Sequence, residues 1–412
     1  MIAASVLLSA GKRISPVLVV LALLLGPTFG HTFPRFEIKE IETGLTVGYA
    51  VRIVDLNADG KKDIVVVDSR RLVWYENPTW KRHVIAENQT KPDNVCFAIH
   101  DIDGDGDLDI ALGADWNPGN TRSGGTLQWL EQGKNADEWT VHAIGEEPTI
   151  HRIRFVDLYG TGRPLLVVAP LFGRNSSRKN NWMDGQPSRL LAFPIPKDPK
   201  KDRWVPEVLN ESMHVMHNFW KVPARNRKGK DLITASYEGV SLVWRDGTSW
   251  KRQRLGTGNQ ENPNDRRGTS EIKQGKIKGG LPVIATIEPW HGYEVVVYTP
   301  SQDPKGLWVR HVLDNKLRWG HAVWFADLDG DGGDELIIGV RDHLSKKPGE
   351  QSGLRIYRAQ DKTGTKWERH LIDEGGVRIE DLIADDLDGD GRIDIVAVGR
   401  ASHNARIYFN RE

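Results

Sequence analysis

An all-β, seven-bladed propeller of four-stranded blades is the fold this 412-residue sequence predicts, and three periodic features predict it. One is an acidic loop set between two apolar runs and repeated along the chain. Another is a strand that opens on an aromatic residue and ends in polar turn residues. The last is an aromatic position in the strand before it.

The clearest acidic loop lies within Trp319 to Asp342, WGHAVWFADLDGDGGDELIIGVRD. Asp327, Asp329, Asp331 and Glu335 take positions 1, 3, 5 and 9, and Gly332 takes position 6, where the chain must turn sharply. Carboxylates at alternate positions repel one another unless a hard cation lies between them, and Ca2+ accepts about six to eight oxygens in a flexible cage. The same pattern recurs as Asp55-Asn57-Asp59-Asp63, Asp101-Asp103-Asp105-Asp109 and Asp386-Asp388-Asp390-Asp394, so about four Ca2+ sites are expected. Asp157-Leu-Tyr-Gly-Thr-Gly162 keeps the glycines and loses the later acids. Around Pro223 to Lys230 and Gln274 to Leu281 only the flanking strands remain, and no ion is expected in these three units.

The outer strand opens at Trp80, Trp139, Trp204, Trp250, Trp308 and Trp367, and once more at Phe36. Phe36-EIKEIETG aligns without a gap on Trp367-ERHLIDEG. The preceding strand carries Trp74, Trp129, Phe193, Trp244, Tyr298, Tyr357 and Tyr408. Units of roughly 45 to 65 residues with four short strands each make a radial array that leaves only short edges. The last unit stops after its third strand, so the N-terminal strand is expected to complete that blade and close the ring.

Lysine plus arginine (56) balance aspartate plus glutamate (56), which gives no electrostatic reason to expect a nucleic-acid partner. Residues 1–30 read as a secretory signal: Lys12 and Arg13 precede an apolar core from Val17 to Leu25, then Gly26, Pro27 and small residues near Gly30. That core is short for a membrane span, so a secreted or periplasmic protein with no stable span after cleavage is expected, an uncleaved anchor being the alternative. Residues 31–412 form the propeller. Cys96 is the single cysteine, so no intrachain disulfide exists, and bound calcium would serve as the staple.

In each unit the start of the first strand and the end of the second share the face opposite the acidic loop. Six places before the first acid stand Tyr49, Val95, His151, His217, Gly268, His321 and Glu380. The corresponding exits of the second strands read Ser69, Asp115, Leu171, Tyr237, Glu288, Arg341 and Arg400, with Trp116, Arg174, Trp290, His291 and His343 close behind. Trp182, on the basic insertion Gly173 to Ser188, and Trp319 reach the same face, whereas Trp220 and Trp324 are mid-strand and expected in the core.

Histidines from separate blades beside a carboxylate suit Zn2+ or a similar divalent ion with an open position, so His151, His217 and His321 are the candidate ligands. Glu380, Glu288 or an unmetallated histidine would be the general base, and Tyr49 or Tyr237 the acid. Arg341, Arg400 and Arg174 would orient an oxygen-rich ligand. Trp116, Trp290, Trp182 and Trp319, with His291, would pack against it. The plainer alternative is that the histidines only hydrogen-bond water in the channel. No GxSxG, HExxH, CxxC or phosphate-cradling loop is present, so serine hydrolase, zincin, redox and nucleotide classes lack support.

These loops resemble the FG-GAP/VCBS repeat propellers, whose DxDxDGxxD loops bind calcium. The resemblance implies the acids above as ligands, with the carbonyls of Lys61, Asp107, Gly333 and Arg392 joining them. GHAVWFADLDGDGGDELIIG with the histidines of the opposite face is similar to the propeller domain of aldos-2-ulose dehydratases. That resemblance implies β-elimination of water beside a carbonyl on an oxidised sugar. Those proteins also carry cupin domains; none follows Tyr408, so an isomerase half is not expected. Two functions follow: a calcium-stapled, metal-assisted sugar lyase, or a non-catalytic propeller that binds glycans or proteins.

Overall fold

The computed structural model describes residues 33–280, 282–342 and 351–411, so the expected signal segment and His343 lie outside the described residues. Seven four-stranded antiparallel sheets follow one another along the chain. Their innermost strands are Ala50–Val54, Cys96–His100, Ile150–Val156, Asn218–Pro223, Ile272–Lys276, Gly320–Ala326 and Ile379–Asp385. These strands open blades one to seven in that order. The seventh blade takes its outer strand from the N-terminus: Phe36–Glu42 pairs with Ala405–Asn410, Phe36 facing Asn410 and Lys39 facing Ile407. The ring therefore closes as the sequence predicts. No helix among the described residues is long and apolar enough to cross a membrane.

The second strand of each blade is an almost uninterrupted apolar run, as in Asp63–Asp68 (DIVVVD) and Glu335–Val340 (ELIIGV), and every residue of these two is buried. Such runs suit a strand packed on both faces, here by the neighbouring blades. Outer strands are more exposed; in Lys81–Glu87 only Ile85 and Ala86 are buried. Third-strand aromatics are sealed in the blade, with Trp74, Trp129, Tyr298, Tyr357 and Tyr408 all buried. The tyrosine hydroxyls find carboxylates: Tyr298 donates to Glu288 at 2.6 Å, Tyr357 to Asp314 at 2.8 Å and Tyr408 to Asp373 at 2.7 Å.

Position 9 of the acidic loop holds each blade's first turn to its second strand. Asp394 accepts the Leu387 N–H at 3.0 Å with one oxygen and the Asn410 N–H at 2.9 Å with the other. Asp63 does the same for Leu56 and Asn77, and Asp109 for Ile102 and Gln132. Position 6 requires a left-handed backbone, with φ of 86° at Gly60, 102° at Gly106, 88° at Gly332 and 86° at Gly391, which glycine adopts at least cost. Blade four keeps more of the loop than its sequence suggests. Asp231 stands at position 9, fully buried, and accepts from the Arg225 N–H and the Arg227 guanidinium. Arg227 also donates to Leu158 O at 2.6 Å, so a side-chain cation fills the loop there.

Replacing Asp394 by Ala leaves two buried N–H groups without acceptors, each costing about 1–3 kcal/mol. Urea denaturation should show a loss of about 3 kcal/mol. A loss below about 0.5 kcal/mol would mean that water satisfies both amides.

Candidate functional site

Three imidazoles meet near the axis at the end opposite the acidic loops: His217, His291 and His321 each offer a ring nitrogen within 4.8 Å of the other two. His217 precedes the inner strand of blade four, and His321 lies in that of blade six. His291 follows the second strand of blade five at a backbone φ of 49°, uncommon for a non-glycine residue. His291 Nε2 lies 2.5 Å from His217 Nε2. The second nitrogens are engaged behind the cluster. His321 Nδ1 donates to the Glu380 carbonyl at 2.6 Å, which leaves the Nε2 lone pair facing inward. His217 Nδ1 lies 3.0 Å from Glu271 Oε1, though off the line of a straight hydrogen bond. A carbonyl or carboxylate behind an imidazole fixes its tautomer and raises its basicity as a ligand.

Burial, then neighbouring positive groups, pushes His151, His291 and His321 well below the usual imidazole range, and burial pushes His217 below it against the opposing pull of Glu271. The rings are therefore neutral near pH 7, the form that binds a divalent ion. Glu271 is fully ionised: burial opposes its charge, but Arg152 and His217 hold it down at about 2.

His151 is beside this group, its ring centroid 4.4 Å from that of His217, yet both its nitrogens are taken. Nδ1 donates to the His217 carbonyl at 2.9 Å, and Nε2 faces Arg152 Nη1 at 3.1 Å. The structure gathers His291, expected as a substrate contact, where the spacing argument places His151.

Glu288 is corrected outright. It is fully buried inside blade five, bonded to Thr286, Tyr298 and Arg310, and does not reach the mouth. In blades one, two and four the exit residue lies two beyond the strand-two residue whose carbonyl receives the ring-position N–H, as Tyr49 N to Val67 O places Ser69. In blade five Ser270 N bonds to Ile287 O, which puts Pro289 at the exit and Ser270, not Gly268, at the ring. A slip of one residue sends a side chain to the other face of a strand. The ring position itself moves two residues, from Gly268 to Ser270, and beside it stands Glu271, which sequence reasoning missed; its only signal is an acid next to the ring position in the blade that lacks a loop.

Glu380 does reach the cluster, its Oε1 3.7 Å from His321 Nε2. Arg341 at 2.9 Å and Arg400 at 3.2 Å both bind it, so these arginines orient Glu380 rather than a ligand. Tyr49 lies under the Arg400 guanidinium, with its hydroxyl 3.4 Å from Asp93, away from the histidines. Arg174 is committed to Glu147 at 2.8 Å. Trp116, half-buried, packs on His151 with ring centroids 5.1 Å apart.

Next to the histidines opens a cleft of ≈1370 Å³, and His291 forms part of its wall. Trp182, stacked on Phe172 at 3.8 Å, Trp290, Tyr237 and Trp319 supply aromatic faces. Trp290 stacks on His291 at 4.4 Å, joining the aromatic wall to the cluster. Burial pushes Tyr237 up to about 12, so it keeps its proton, and its hydroxyl donates to Asn181 Oδ1 at 3.0 Å. Arg266, Glu261 and Asp265, on a loop that sequence reasoning passed over, complete the polar rim.

At the other end, the acidic loops of blades two, six and seven each bring three carboxylates within 4.8 Å: Asp101, Asp103, Asp109; Asp327, Asp329, Glu335; Asp386, Asp388, Asp394. These donor sets suit a hard cation. Burial and the neighbouring loop acids push Asp109 up to about 6, Glu335 to about 8 and Asp394 to about 6, a repulsion that a cation would relieve. The position-5 acids stand apart. Asp105 and Asp390 accept the position-7 N–H, and Asp331 also meets Lys278 at 3.3 Å. In blade one Asp55 accepts the Asp59 and Gly60 N–H groups, while Asn57 offers an amide in place of an acid.

Comparison with known proteins gives this geometry a context. A family model for the β-propeller domain of aldos-2-ulose dehydratase matches residues 124–301, and an FG-GAP-like repeat model matches residues 55–112. Aldos-2-ulose dehydratase of Phanerodontia chrysosporium is 31% identical over 271 residues, 60% of this chain. This chain is similar to the propeller domain of aldos-2-ulose dehydratases. The match spans 29% of the fungal protein's length. The family match of residues 124–301 contains His151, His217, Glu271 and His291, and stops short of His321. Among solved structures, BBS1N in complex with ARL6DN aligns at TM-score 0.53 and 12% identity, covering 91% of this chain and 96% of that one. A chain of the mitotic checkpoint complex aligns at TM-score 0.55 and 11% identity, covering 100% and 99%. These two share the fold alone.

The four neutral imidazoles, three buried and His291 partly so, make stability depend on pH in one direction. Unfolded histidines take up a proton near 6.5, whereas the folded ones resist it, so stability is complete above that value and falls as pH drops toward the folded values. Between about pH 5 and 6.5, the stability of His321→Gln should fall less steeply than that of the native chain by up to one proton, about 1.4 kcal/mol per pH unit. Equal slopes in urea titrations would show that His321 protonates freely in the folded state.

Proposed function

We propose that this chain is an exported, calcium-stapled propeller that eliminates water beside the carbonyl of an oxidised sugar. The carrying observation is the cluster of His217, His291 and His321, backed by Glu271 and the Glu380 carbonyl, at the wall of an aromatic cleft. The likeness to the aldos-2-ulose dehydratase propeller supports the reaction class. Three neutral imidazoles fit Zn2+ or a related divalent ion, which when bound would polarise a carbonyl and acidify the carbon beside it.

The chain's own residues account for the rest. Trp182, Trp290 and Trp319 present flat faces to the apolar side of a sugar ring, and Arg266 reaches its oxygens. Glu261 and Asp265 are the carboxylates of the cleft that can take the α-proton. Tyr237, still carrying its proton, would turn its hydroxyl from Asn181 Oδ1 to the departing hydroxyl. Arg341 and Arg400 keep Glu380 fixed, so that His321 holds one orientation. The acidic loops, holding Ca2+, would stiffen the far side of the ring.

Metal analysis of the purified chain should find one transition-metal equivalent besides calcium. His291→Ala or His321→Ala should lose the former and keep the latter. Incubated with an aldos-2-ulose, the native chain should develop the ultraviolet band of a conjugated enone, and either variant should slow it at least about 100-fold. Saturable sugar binding with no enone and no transition metal would instead identify a glycan-binding propeller.

A further inference from the structure

A second cavity, of ≈350 Å³, opens on the axis at the acidic-loop end. Trp220 and Trp324, expected from their mid-strand positions to be core, form its wall, their rings edge to face at 5.3 Å. Its charges do not balance: Arg52, Arg154, Lys221 and Lys273 face Asp381 alone. Asp381 is already bound by Arg52 at 3.2 Å. Arg154 lies over the Phe219 and Trp220 rings, and its buried Nη1 has no hydrogen-bond partner. Lys273, only 5% exposed, has its ammonium 4.3 Å from the Trp220 centroid and 5.3 Å from that of Trp324. Among the described residues no carboxylate pairs with it.

The size of these effects decides the reading. A cation–π contact is worth up to about 2 kcal/mol when desolvated, whereas withdrawing an ammonium or guanidinium from water costs several kcal/mol per ion. The aromatic box therefore cannot by itself hold two unpaired cations side by side. Burial, followed by Arg154, pushes Lys273 down to about 7, and burial, followed by Arg52, pushes Arg154 down to about 9. Glu271 and Asp381 act in the opposite sense on both cations and offset only part of that push.

We propose that this cavity binds a compact oxyanion (sulfate, phosphate or a small carboxylate) between the Arg154 guanidinium and the Lys273 ammonium. The cavity is distinct from the histidine cluster and stands whether or not that cluster is catalytic. A ligand of this kind would join inner strands of blades three and five across the axis, because Arg154 lies on Ile150–Val156 and Lys273 on Ile272–Lys276.

Sulfate titrated against the full chain, at ionic strength held constant with sodium chloride, tests this. Thermal midpoints should rise saturably in the native chain, by on the order of 3 °C at full occupancy. Sulfate also stabilises proteins generally by exclusion from their surfaces, so the double variant Arg154→Gln/Lys273→Gln supplies the baseline. That variant should melt higher than the native chain without sulfate, since two unpaired charges are gone, and should lack the saturable increment. An equal sulfate response in both proteins overturns the proposal. Should the variant fail to fold, selenate soaked into crystals of the native chain decides: an anomalous peak between Arg154 and Lys273 supports the site, and a featureless cavity rejects it.

Discussion

The pairing of Phe36–Glu42 with Ala405–Asn410 is the constraint on which the rest depends. An open stack of seven blades would leave two exposed sheet faces and no axis. Closing it forces the starts of seven inner strands to converge, whatever their separation in sequence. His217 and His321 are over a hundred residues apart along the chain, yet their ring centroids lie 5.3 Å apart. The cluster is thus a property of the ring, and no single blade could build it.

That dependence explains what could be read from the residues. Repetition made the fold legible, because acids, glycines and aromatics recur at fixed offsets and each has a local physical reason. Ring positions followed wherever the acidic loop anchored the alignment, as at His151 and His321. Blade five has no such anchor, and there the reading slipped: Glu288 was turned to the wrong face, and Ser270 and Glu271 were passed over. His291 was noticed only as a neighbour, since it lies on a loop beyond the repeat and its aim is set by a left-handed backbone. Side-chain pairing was the other hidden layer. Arg341, Arg400 and Glu380 each looked free to meet a ligand, and together they satisfy one another.

Along the axis the chain sorts its charges in layers. At the histidine end Glu271 and Glu380 stand behind neutral imidazoles, each bound to arginine. Toward the acidic-loop end the cations Arg154 and Lys273 sit against indole faces with no such partner. Low polarisability makes unpaired charge expensive in such a channel, so the contrast between the two ends is chemical information rather than decoration.

Blade four uses Arg227 to bridge Asp231 and the neighbouring blade through Leu158 O. A tethered guanidinium cannot diffuse away, so this junction needs nothing from the medium. The full acidic loops, by contrast, fall in blades six, seven, one and two, an unbroken arc that spans the seam where the chain's ends meet. Blades three to five carry no full acidic loop. They are also the blades that carry the long excursions around Trp182 and Arg266, which line the cleft. The strand pairing that closes the ring falls within the first arc, and the loops that line the cleft come from the second, so those loops can vary without touching the closure.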